Sequence, residues 1–313
     1  MRGWSESDIP DLSGKRVLVT GGASGIGFHA CRALAQHGAE VILADRNVPL
    51  AEQSVEAIRQ SRVRGSIAAK ALDLASLAEV RAFAEGFLAE GRPIDILVNN
   101  AGIQPIAERR ISADGFELTF AIGHLGHFLL TGLLYPLIRA AAAPRVVTVS
   151  SMVHGRGNLD WDDLQITRNY ASQRAYNQTK LANLLFAREL QRRIDAAGDP
   201  TMSIAVHPGV ARTAIGANRH NLGRLGLADP PVSAILTIVM PLLGQDPDQG
   251  ALPTLYGATS PDARGGRLYG PSGFGEMKGP PKEARIKPSG QDMAAAARLW
   301  TVSEELTGIR FLG

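Results

Sequence analysis

The stretch TGGASGIG, residues 20–27, is rich in glycine and lies between two predicted elements of secondary structure. It follows the β-branched run RVLVT (16–20), which predicts a buried strand, and it opens an amphipathic pattern over 25–37 that predicts a helix. Its glycines allow a tight turn and a close approach of the backbone, so that a pyrophosphate can bind at the start of the helix. A glycine-rich turn alone is weak evidence. Its place between a strand and a helix predicts a dinucleotide-binding loop.

Short apolar runs alternate with longer amphipathic ones along the rest of the chain. The apolar runs are bounded by Gly, Pro, Asp or Asn, as expected of strands buried on both faces, and lie at 16–20, 40–45, 66–73, 94–100, 145–151 and 202–209. Helical patterns lie at 25–37, 49–60, 76–90, 112–140 and 174–197. This alternation predicts an α/β fold with a Rossmann-type, doubly wound parallel sheet.

The chain has no internal repeat and no linker-like change in composition before about residue 270. We therefore expect a single domain with short extensions: an N-terminal extension at 1–13, a dinucleotide-binding catalytic domain at 14–270 and a C-terminal extension at 271–313. GGRLYG (265–270) predicts a last edge strand. The Gly-, Pro- and Lys-rich stretch 270–290 predicts an irregular surface excursion, and a short helix is expected near 291–306.

Composition restricts the class of protein. The 313 residues are 45% hydrophobic and 20% charged, which is globular usage, and the net charge of +3 is too small and scattered to favour nucleic acid. The single cysteine, Cys31, excludes internal disulfides and fits a reducing compartment. The N-terminus MRGWSESDIP lacks the apolar core of a signal peptide, and the apolar stretch 234–244 is too short to span a bilayer. We expect a cytoplasmic protein with no membrane span.

The residues at the end of the second strand bear on the choice of cofactor. Asp45 would accept hydrogen bonds from the adenosine ribose hydroxyls and repel a 2′-phosphate, which favours NAD(H). Arg46 argues the other way, because a guanidinium there can pair with that phosphate. Ser24, in the loop, adds no positive charge. NAD(H) is favoured, and NADP(H) stays open.

Five motifs in order carry a family resemblance. TGGASGIG, NNAG (99–102), a serine at the end of the fifth strand, YNQTK (176–180) and HPGVART (207–213) together resemble the short-chain dehydrogenase/reductase family. GFELTFAIGHLGHFLLT (115–131) and YNQTKLANLLFARELQ (176–191) are most similar to its retinol dehydrogenase-like branch. The resemblance implies hydride transfer between a nicotinamide cofactor and a small-molecule alcohol or carbonyl compound.

YNQTK places a phenol and an ammonium group one helical turn apart, so Tyr176 and Lys180 share one face of a helix. A nearby ammonium favours the phenolate, so we expect the pKa of Tyr176 to be lowered. A tyrosine of this kind can act as general acid/base. The resemblance implies this role for Tyr176, a ribose contact for Lys180, and a hydrogen bond from Ser151 to the reacting oxygen. Ser150 is the neighbouring alternative to Ser151.

The resemblance also implies which residues bind the cofactor. These are Thr20, Gly21, Ser24, Gly25, Ile26, Gly27, Asp45, Arg46, Asp73, Leu74, Asn100, Ala101, Gly102, Tyr176, Lys180, Pro208, Gly209, Val210 and Thr213. Residues that follow strand ends at the carboxyl edge are candidate walls of a substrate pocket, namely Met152, His154 and Trp161. His124 and His127 lack a third ligand nearby, so no metal site is expected.

One residue departs from the family pattern. Gly123, in FAIGHLGHF, stands where the family has an asparagine that helps to hold a water near the lysine. Glycine keeps the backbone carbonyl but loses the side chain. The favoured hypothesis is an active oxidoreductase, and the alternative is a catalytically weak or inactive dinucleotide-binding regulatory or scaffold protein.

Two further expectations concern the partners of the chain. The apolar run LADPPVSAILTIVMPLL (227–243) suggests a bulky, lipophilic substrate, although the same run could pack against a second subunit. The helices at 112–140 and 174–197 are amphipathic enough to form a homo-oligomer, as the matching helices do in many relatives.

Overall fold

The computed structural model describes residues 3–211 and 244–313. These residues form an eight-stranded sheet in the order β3-β2-β1-β4-β5-β6-β7-β8. The strands are β1 (Arg16–Thr20), β2 (Glu40–Asp45), β3 (Ser66–Ala71), β4 (Ile96–Asn99), β5 (Arg145–Val149), β6 (Met202–Val206), β7 (Leu268–Pro271) and β8 (Pro281–Glu283). Every neighbouring pair is parallel except β7 and β8. The doubly wound parallel sheet predicted from the sequence is confirmed.

Helices cover both faces of this sheet. They are α1 (Gly25–Gln36), α2 (Val48–Gln60), α3 (Leu77–Glu90), α4 (Leu118–Arg139), α5 (Ser172–Ala196), α6 (Pro247–Thr259) and α7 (Met293–Thr307), with short helical turns at Glu6–Asp8, Met152–Arg156, Phe274–Glu276 and Pro288–Gln291. In β1, Val17 and Val19 join the core beneath α1, α2 and α6, whereas Leu18 joins the core beneath α3, α4 and α5. Both sets are fully buried because successive side chains of a strand point to opposite faces.

The predicted helix 112–140 begins later than expected, at Leu118. Residues ahead of it form a tight turn, in which the N–H of Ser112 donates to the carbonyl of Phe116 at 2.8 Å. Glu117 then caps the helix, because its carboxylate accepts hydrogen bonds from the N–H groups of Thr119 and Phe120.

Two expectations about the C-terminal part were wrong. GGRLYG does not supply the edge strand, because β7 pairs in parallel with β6 and antiparallel with β8, so β8 forms that edge. The stretch 270–290 is therefore not simply an irregular excursion. It adds a strand to the sheet, and Ala284 packs among the buried residues of α5.

The C-terminal helix α7 packs against α4 and α5. Trp300 is 2% exposed, and its ring centroid lies 5.0 Å from that of Phe128 on α4 and 5.9 Å from that of Phe186 on α5. Phe311, beyond α7, completes this aromatic cluster at 4.6 Å from Trp300. This part of the α4/α5 surface is thus covered by the chain itself.

Among the described residues, α4 is the one helix long and apolar enough to cross a membrane. Its most apolar stretch is 89% buried inside the protein. That burial is typical of a core helix in a globular protein.

Candidate active site

The glycine-rich loop between β1 and α1 forms a cradle that larger residues would fill. Gly21 has a φ of +66°, and a Cβ there would lie 2.7 Å from the Cα of Ala101. A Cβ at Gly27 would collide with the carbonyl oxygen of Gly21 and lie 2.6 Å from Nδ2 of Asn100. That amide donates to the carbonyls of Thr20 and Gly21 at 2.8 and 3.1 Å, which ties the loop to the end of β4.

A cavity of about 330 Å³ opens above this loop. It brings together twelve residues that the sequence analysis assigned to the cofactor: Gly21, Ser24, Gly25, Ile26, Gly27, Asp45, Arg46, Asp73, Leu74, Asn100, Ala101 and Gly102. Thr20 lies beneath, fully buried, and its hydroxyl oxygen accepts from the N–H groups of Asn100 and Ala101, both at 3.0 Å. The backbone cradle, the start of α1 and these walls fit a dinucleotide.

A second cavity, of about 270 Å³, continues the first. It is lined by the remaining assigned residues: Ser151, Tyr176, Lys180, Pro208, Gly209 and Val210. The two cavities share Ile26, Asn100, Gly102, Ile103 and Gln104, so they form one groove along the carboxyl ends of the strands. Thr213 lies outside the described residues.

Some residues of this groove were not predicted from the sequence. Ile103 and Gln104 line both cavities, Ile122 lines the first and Ala211 the second. Ile103 and Gln104 could have been predicted, because they directly follow the NNAG motif at the carboxyl edge of the sheet, where ligands of such folds bind. Ile122 comes from a distant helix, and nothing local in the sequence marks it.

Asp45 and Arg46 both face the first cavity, but they differ in their surroundings. The Asp45 carboxylate accepts hydrogen bonds from the N–H groups of Ala23 at 3.3 Å and Asn47 at 3.0 Å, so its position is fixed. Arg46 is exposed. Asp73 accepts a hydrogen bond from the N–H of Ala75 at 2.8 Å, so it also shapes the turn after β3.

Ser151, Tyr176 and Lys180 converge on the second cavity from the end of β5 and from α5. The side chains of Ser151 and Tyr176 both line this cavity, and the serine hydroxyl acts to lower the pKa of the tyrosine. Lys180 donates from Nζ to the carbonyl of Val149 at 3.1 Å, and Nζ lies 5.7 Å from the centre of the Tyr176 ring. The hydroxyl of Ser150 donates to the backbone carbonyl of Lys180 at 2.6 Å. Ser150 therefore holds β5 against α5, and Ser151 is the serine that acts on the tyrosine pKa.

Burial dominates the acid–base properties of this group. It lowers the pKa of Lys180 to about 8, because the charged form loses hydration. It raises the pKa of Tyr176 above its ordinary value, and the Ser151 hydroxyl acts in the opposite direction. The expected lowering of the tyrosine pKa by Lys180 was wrong for the protein alone, since burial outweighs attraction from an ammonium that lies over the ring face.

Gly123 lies in a π-helical turn, Ala121–Leu125, inside α4. Its carbonyl is 3.1 Å from Nδ1 of His127, so Nδ1 carries the proton and donates. Nε2 then accepts from the hydroxyl of Thr20 at 2.8 Å. Burial lowers the pKa of His127 to about 4, which keeps this histidine neutral. The carbonyl at Gly123 thus supports the cofactor loop through His127.

The other histidine of this segment is also structural. His124 is 1% exposed, its Nε2 lies 2.8 Å from the hydroxyl of Ser303 on α7, and burial lowers its pKa to about 3. Within 3–211 and 244–313, no group of three or more His, Cys, Asp or Glu side chains is placed to hold a metal ion.

Three residues were expected to form the walls of a substrate pocket. In the described part of the chain, neither cavity of the groove is lined by Met152, His154 or Trp161. Trp161 packs under the guanidinium of Arg298 at 4.4 Å. His154 is 2% exposed and hydrogen bonded to the backbone on both ring nitrogens. Adjacency to a strand end therefore did not predict the contacts of the His154 and Trp161 side chains.

The fold and the groove together define an oxidoreductase that uses a nicotinamide dinucleotide. The sequence profile described as short chain dehydrogenase matches residues 15–221. The chain belongs to the short-chain dehydrogenase family and, within it, to the retinol dehydrogenase-like branch.

Curated relatives match along nearly the whole chain. Retinol dehydrogenase 14 of Mus musculus is 36% identical over 310 residues, which covers 95% of this chain and 87% of the relative. Retinol dehydrogenase 13 of Homo sapiens is 38% identical over 309 residues, covering 97% of this chain and 87% of the relative.

Solved structures agree with this assignment. An uncharacterized protein of Mycobacterium Paratuberculosis superimposes with a TM-score of 0.79 at 36% identity, with 99% of each chain covered. The RhlG/NADP active-site complex of Pseudomonas aeruginosa superimposes with a TM-score of 0.62 at 25% identity, covering 82% of this chain and 94% of that one.

Proposed function

We propose that the protein interconverts an alcohol and its carbonyl compound, with Ser151, Tyr176 and Lys180 as its catalytic residues. The observation that carries this proposal is their convergence on the wall of the second cavity, which is continuous with the dinucleotide cavity. The bound nicotinamide supplies or accepts the hydride. The side chains of the protein orient the substrate and move the proton.

Each side chain has a distinct task in this reaction. During reduction, the Tyr176 hydroxyl gives its proton to the substrate oxygen, and during oxidation the same oxygen takes the proton back. The Ser151 hydroxyl donates a hydrogen bond to that substrate oxygen and fixes its position. Lys180, when protonated, favours the phenolate form of Tyr176 and opposes the effect of burial on the tyrosine pKa.

Turnover assays test this assignment. Tyr176→Phe removes the transferable proton and keeps the ring, so we expect kcat to fall by about 10²-fold or more. NADH or NADPH binding, followed by fluorescence, should stay within about threefold of wild type. Unchanged turnover by the Tyr176→Phe variant would refute the role of the tyrosine.

NAD(H) is the cofactor we propose. The support is Asp45, whose carboxylate is held at the cavity wall by two backbone N–H groups, where it would repel a 2′-phosphate. Arg46 lines the same cavity and is the group that would favour NADP(H). Titration of the protein with NADH and NADPH at matched salt decides between them, and tighter NADPH binding would overturn the choice.

The substrate class we propose is a bulky, lipophilic alcohol or aldehyde of the retinoid type. The names of the curated relatives support this class. Ile103, Val149 and Val210 give the second cavity apolar walls. A panel that runs from short aliphatic aldehydes to retinal tests the proposal through kcat/KM, and a preference for the short aldehydes would contradict it.

We also propose that the protein is cytoplasmic. Cys31 is buried as a free thiol, and burial raises the pKa of that thiol, which makes it inert and compatible with a reducing compartment. Cell fractionation tests the location.

We further propose that the chain forms a homo-oligomer. A homodimer through α4 and α5 would have to form beside α7, which already covers part of those helices around Trp300. Light scattering coupled to size exclusion tests whether such a dimer forms.

A further inference from the structure

His154 lies one turn beyond the proposed catalytic Ser151, in the helical turn Met152–Arg156. Its side chain is 2% exposed and does not line the groove. A buried histidine this close to a reacting group, yet facing away from it, needs a structural explanation.

The hydrogen bonds of His154 fix its tautomer. Nδ1 is 2.7 Å from the carbonyl oxygen of Ser151, which can only accept, so Nδ1 carries the proton. Nε2 is therefore the acceptor, and the backbone N–H of Lys287 donates to it at 3.2 Å. Burial lowers the pKa of the ring, which is consistent with a neutral imidazole.

The partner of His154 comes from residues 284–290, which we call the C-terminal strap. The hydroxyl of Ser289 donates to the carbonyl of His154 at 3.2 Å. A Cβ on Gly290 would lie 3.5 Å from Cδ2 of the His154 ring, so the strap covers the ring closely.

The strap also contacts the helix that carries Tyr176 and Lys180. The guanidinium of Arg188, on α5, donates to the carbonyl of Gly290 at 2.5 Å. Ala284 packs with Leu184 and Ala187 of the same helix. The strap thereby joins the loop of Ser151 to α5.

We propose that His154 is a positioning residue for the reaction. Held by the strap, it fixes the carbonyl of Ser151 and, through that peptide, the direction of the Ser151 hydroxyl toward Tyr176. This inference rests on the proposed hydride transfer, with Ser151 as the donor to the substrate oxygen.

Substitutions at position 154 separate the two hydrogen bonds. Asparagine places an N–H near the position of Nδ1, whereas glutamine places its amide near that of Nε2. His154→Asn keeps the bond to Ser151 but loses the one from Lys287, so we expect it to lower kcat several-fold. We expect His154→Gln and His154→Ala, which lose the bond to Ser151, to lower kcat by about 10-fold, because small displacements at a reacting centre are costly. The Kd of NADH should change by less than about twofold in all three, which shows that the fold is intact.

The same changes in a Ser151→Ala background test whether His154 acts through the serine. In that background, His154→Ala should lower the residual kcat by less than about twofold. An equal loss with and without the serine would overturn the inference, as would an unchanged kcat in His154→Ala. If Ser151→Ala alone kept full turnover, the proposed role of Ser151 would fail instead.

A second pair of variants avoids position 154 altogether. Lys287 has a φ of −73°, which a proline ring can adopt, so Lys287→Pro removes the N–H that donates to His154. Lys287→Ala is the matched control, because it loses the side chain and keeps the N–H. We expect kcat to fall several-fold in the proline variant relative to the alanine variant, and equal kcat values in both would contradict the role of the strap.

Discussion

The side chain of Thr179 leaves no room for a side chain at position 123, where the chain has glycine. Stability measurements test this without a substrate. A Cβ added at Gly123 would fall well inside the contact distance of Cγ2 of Thr179 on α5, while Cβ of Thr179 would be 3.8 Å away. The Cγ2 methyl group of Thr179 is therefore the group that excludes a side chain at position 123. Thr179 is 2% exposed, and its hydroxyl donates to the carbonyl of Ala175 at 2.9 Å, so the methyl cannot rotate away without losing that bond.

The magnitudes follow from these contacts. Forcing a methyl group into a packed site costs about 1–3 kcal/mol, whereas replacing glycine by alanine within a helix gains about 1 kcal/mol. We expect Gly123→Ala to lower the free energy of unfolding by about 0–2 kcal/mol. Thr179→Ser removes the methyl and keeps the hydroxyl, at a cost of about 1 kcal/mol.

The double variant tests the reasoning. With the methyl absent, Gly123→Ala should become neutral or stabilising, so the two changes should couple by about 1–3 kcal/mol. Urea unfolding followed by circular dichroism measures all four proteins. Additivity within about 0.5 kcal/mol would refute the contact between these two positions.

Three further predictions concern other parts of the molecule. Asp45→Ser should raise NADPH affinity about 10-fold or more by removing a fixed negative charge, and a fluorescence titration that showed no gain would mean that this carboxylate does not select the cofactor. Burial lowers the pKa of Lys180 from 10.5 to about 8, so below pH 8 the folded protein carries the full penalty of a buried charge. Relative to Lys180→Met, the wild type should become more stable as pH rises from about 8 to about 10.5, by about 3 kcal/mol in urea unfolding. A pH-independent difference would show that this lysine is hydrated in the folded state. Trp300→Ala should cost about 3–5 kcal/mol because it empties the aromatic cluster over α4 and α5, and a loss below about 1 kcal/mol would mean that α7 is loosely attached.

The conformation of the cofactor loop could be predicted from local sequence. The loop follows β1 directly and leads into α1, so all three are contiguous in the chain. Their conformation could therefore be predicted from the spacing of the glycines and the period of the apolar residues. The same reasoning placed Tyr176 and Lys180 on one face of α5, since four residues make about one helical turn. Family resemblance then predicted the residues that the groove brings together.

Other features depend on contacts between distant segments. The direction of the tyrosine pKa shift came from burial, which no spacing within YNQTK reveals. Adjacency to a strand end suggested that His154 would line the pocket, but residues from the far end of the chain cover its ring.

Local periodicity and short motifs were enough to predict the succession of helices α1 to α5 and of strands β1 to β6, the glycine-rich loop and the proposed catalytic group. Three features became visible only in the folded chain: β8 is the edge strand, Thr179 excludes a side chain at Gly123, and the C-terminal strap is hydrogen bonded to His154 beside Ser151. The physical reason is that burial and hydrogen bonding between remote segments are properties of packing. Packing depends on the whole chain at once, whereas a motif depends only on its neighbours.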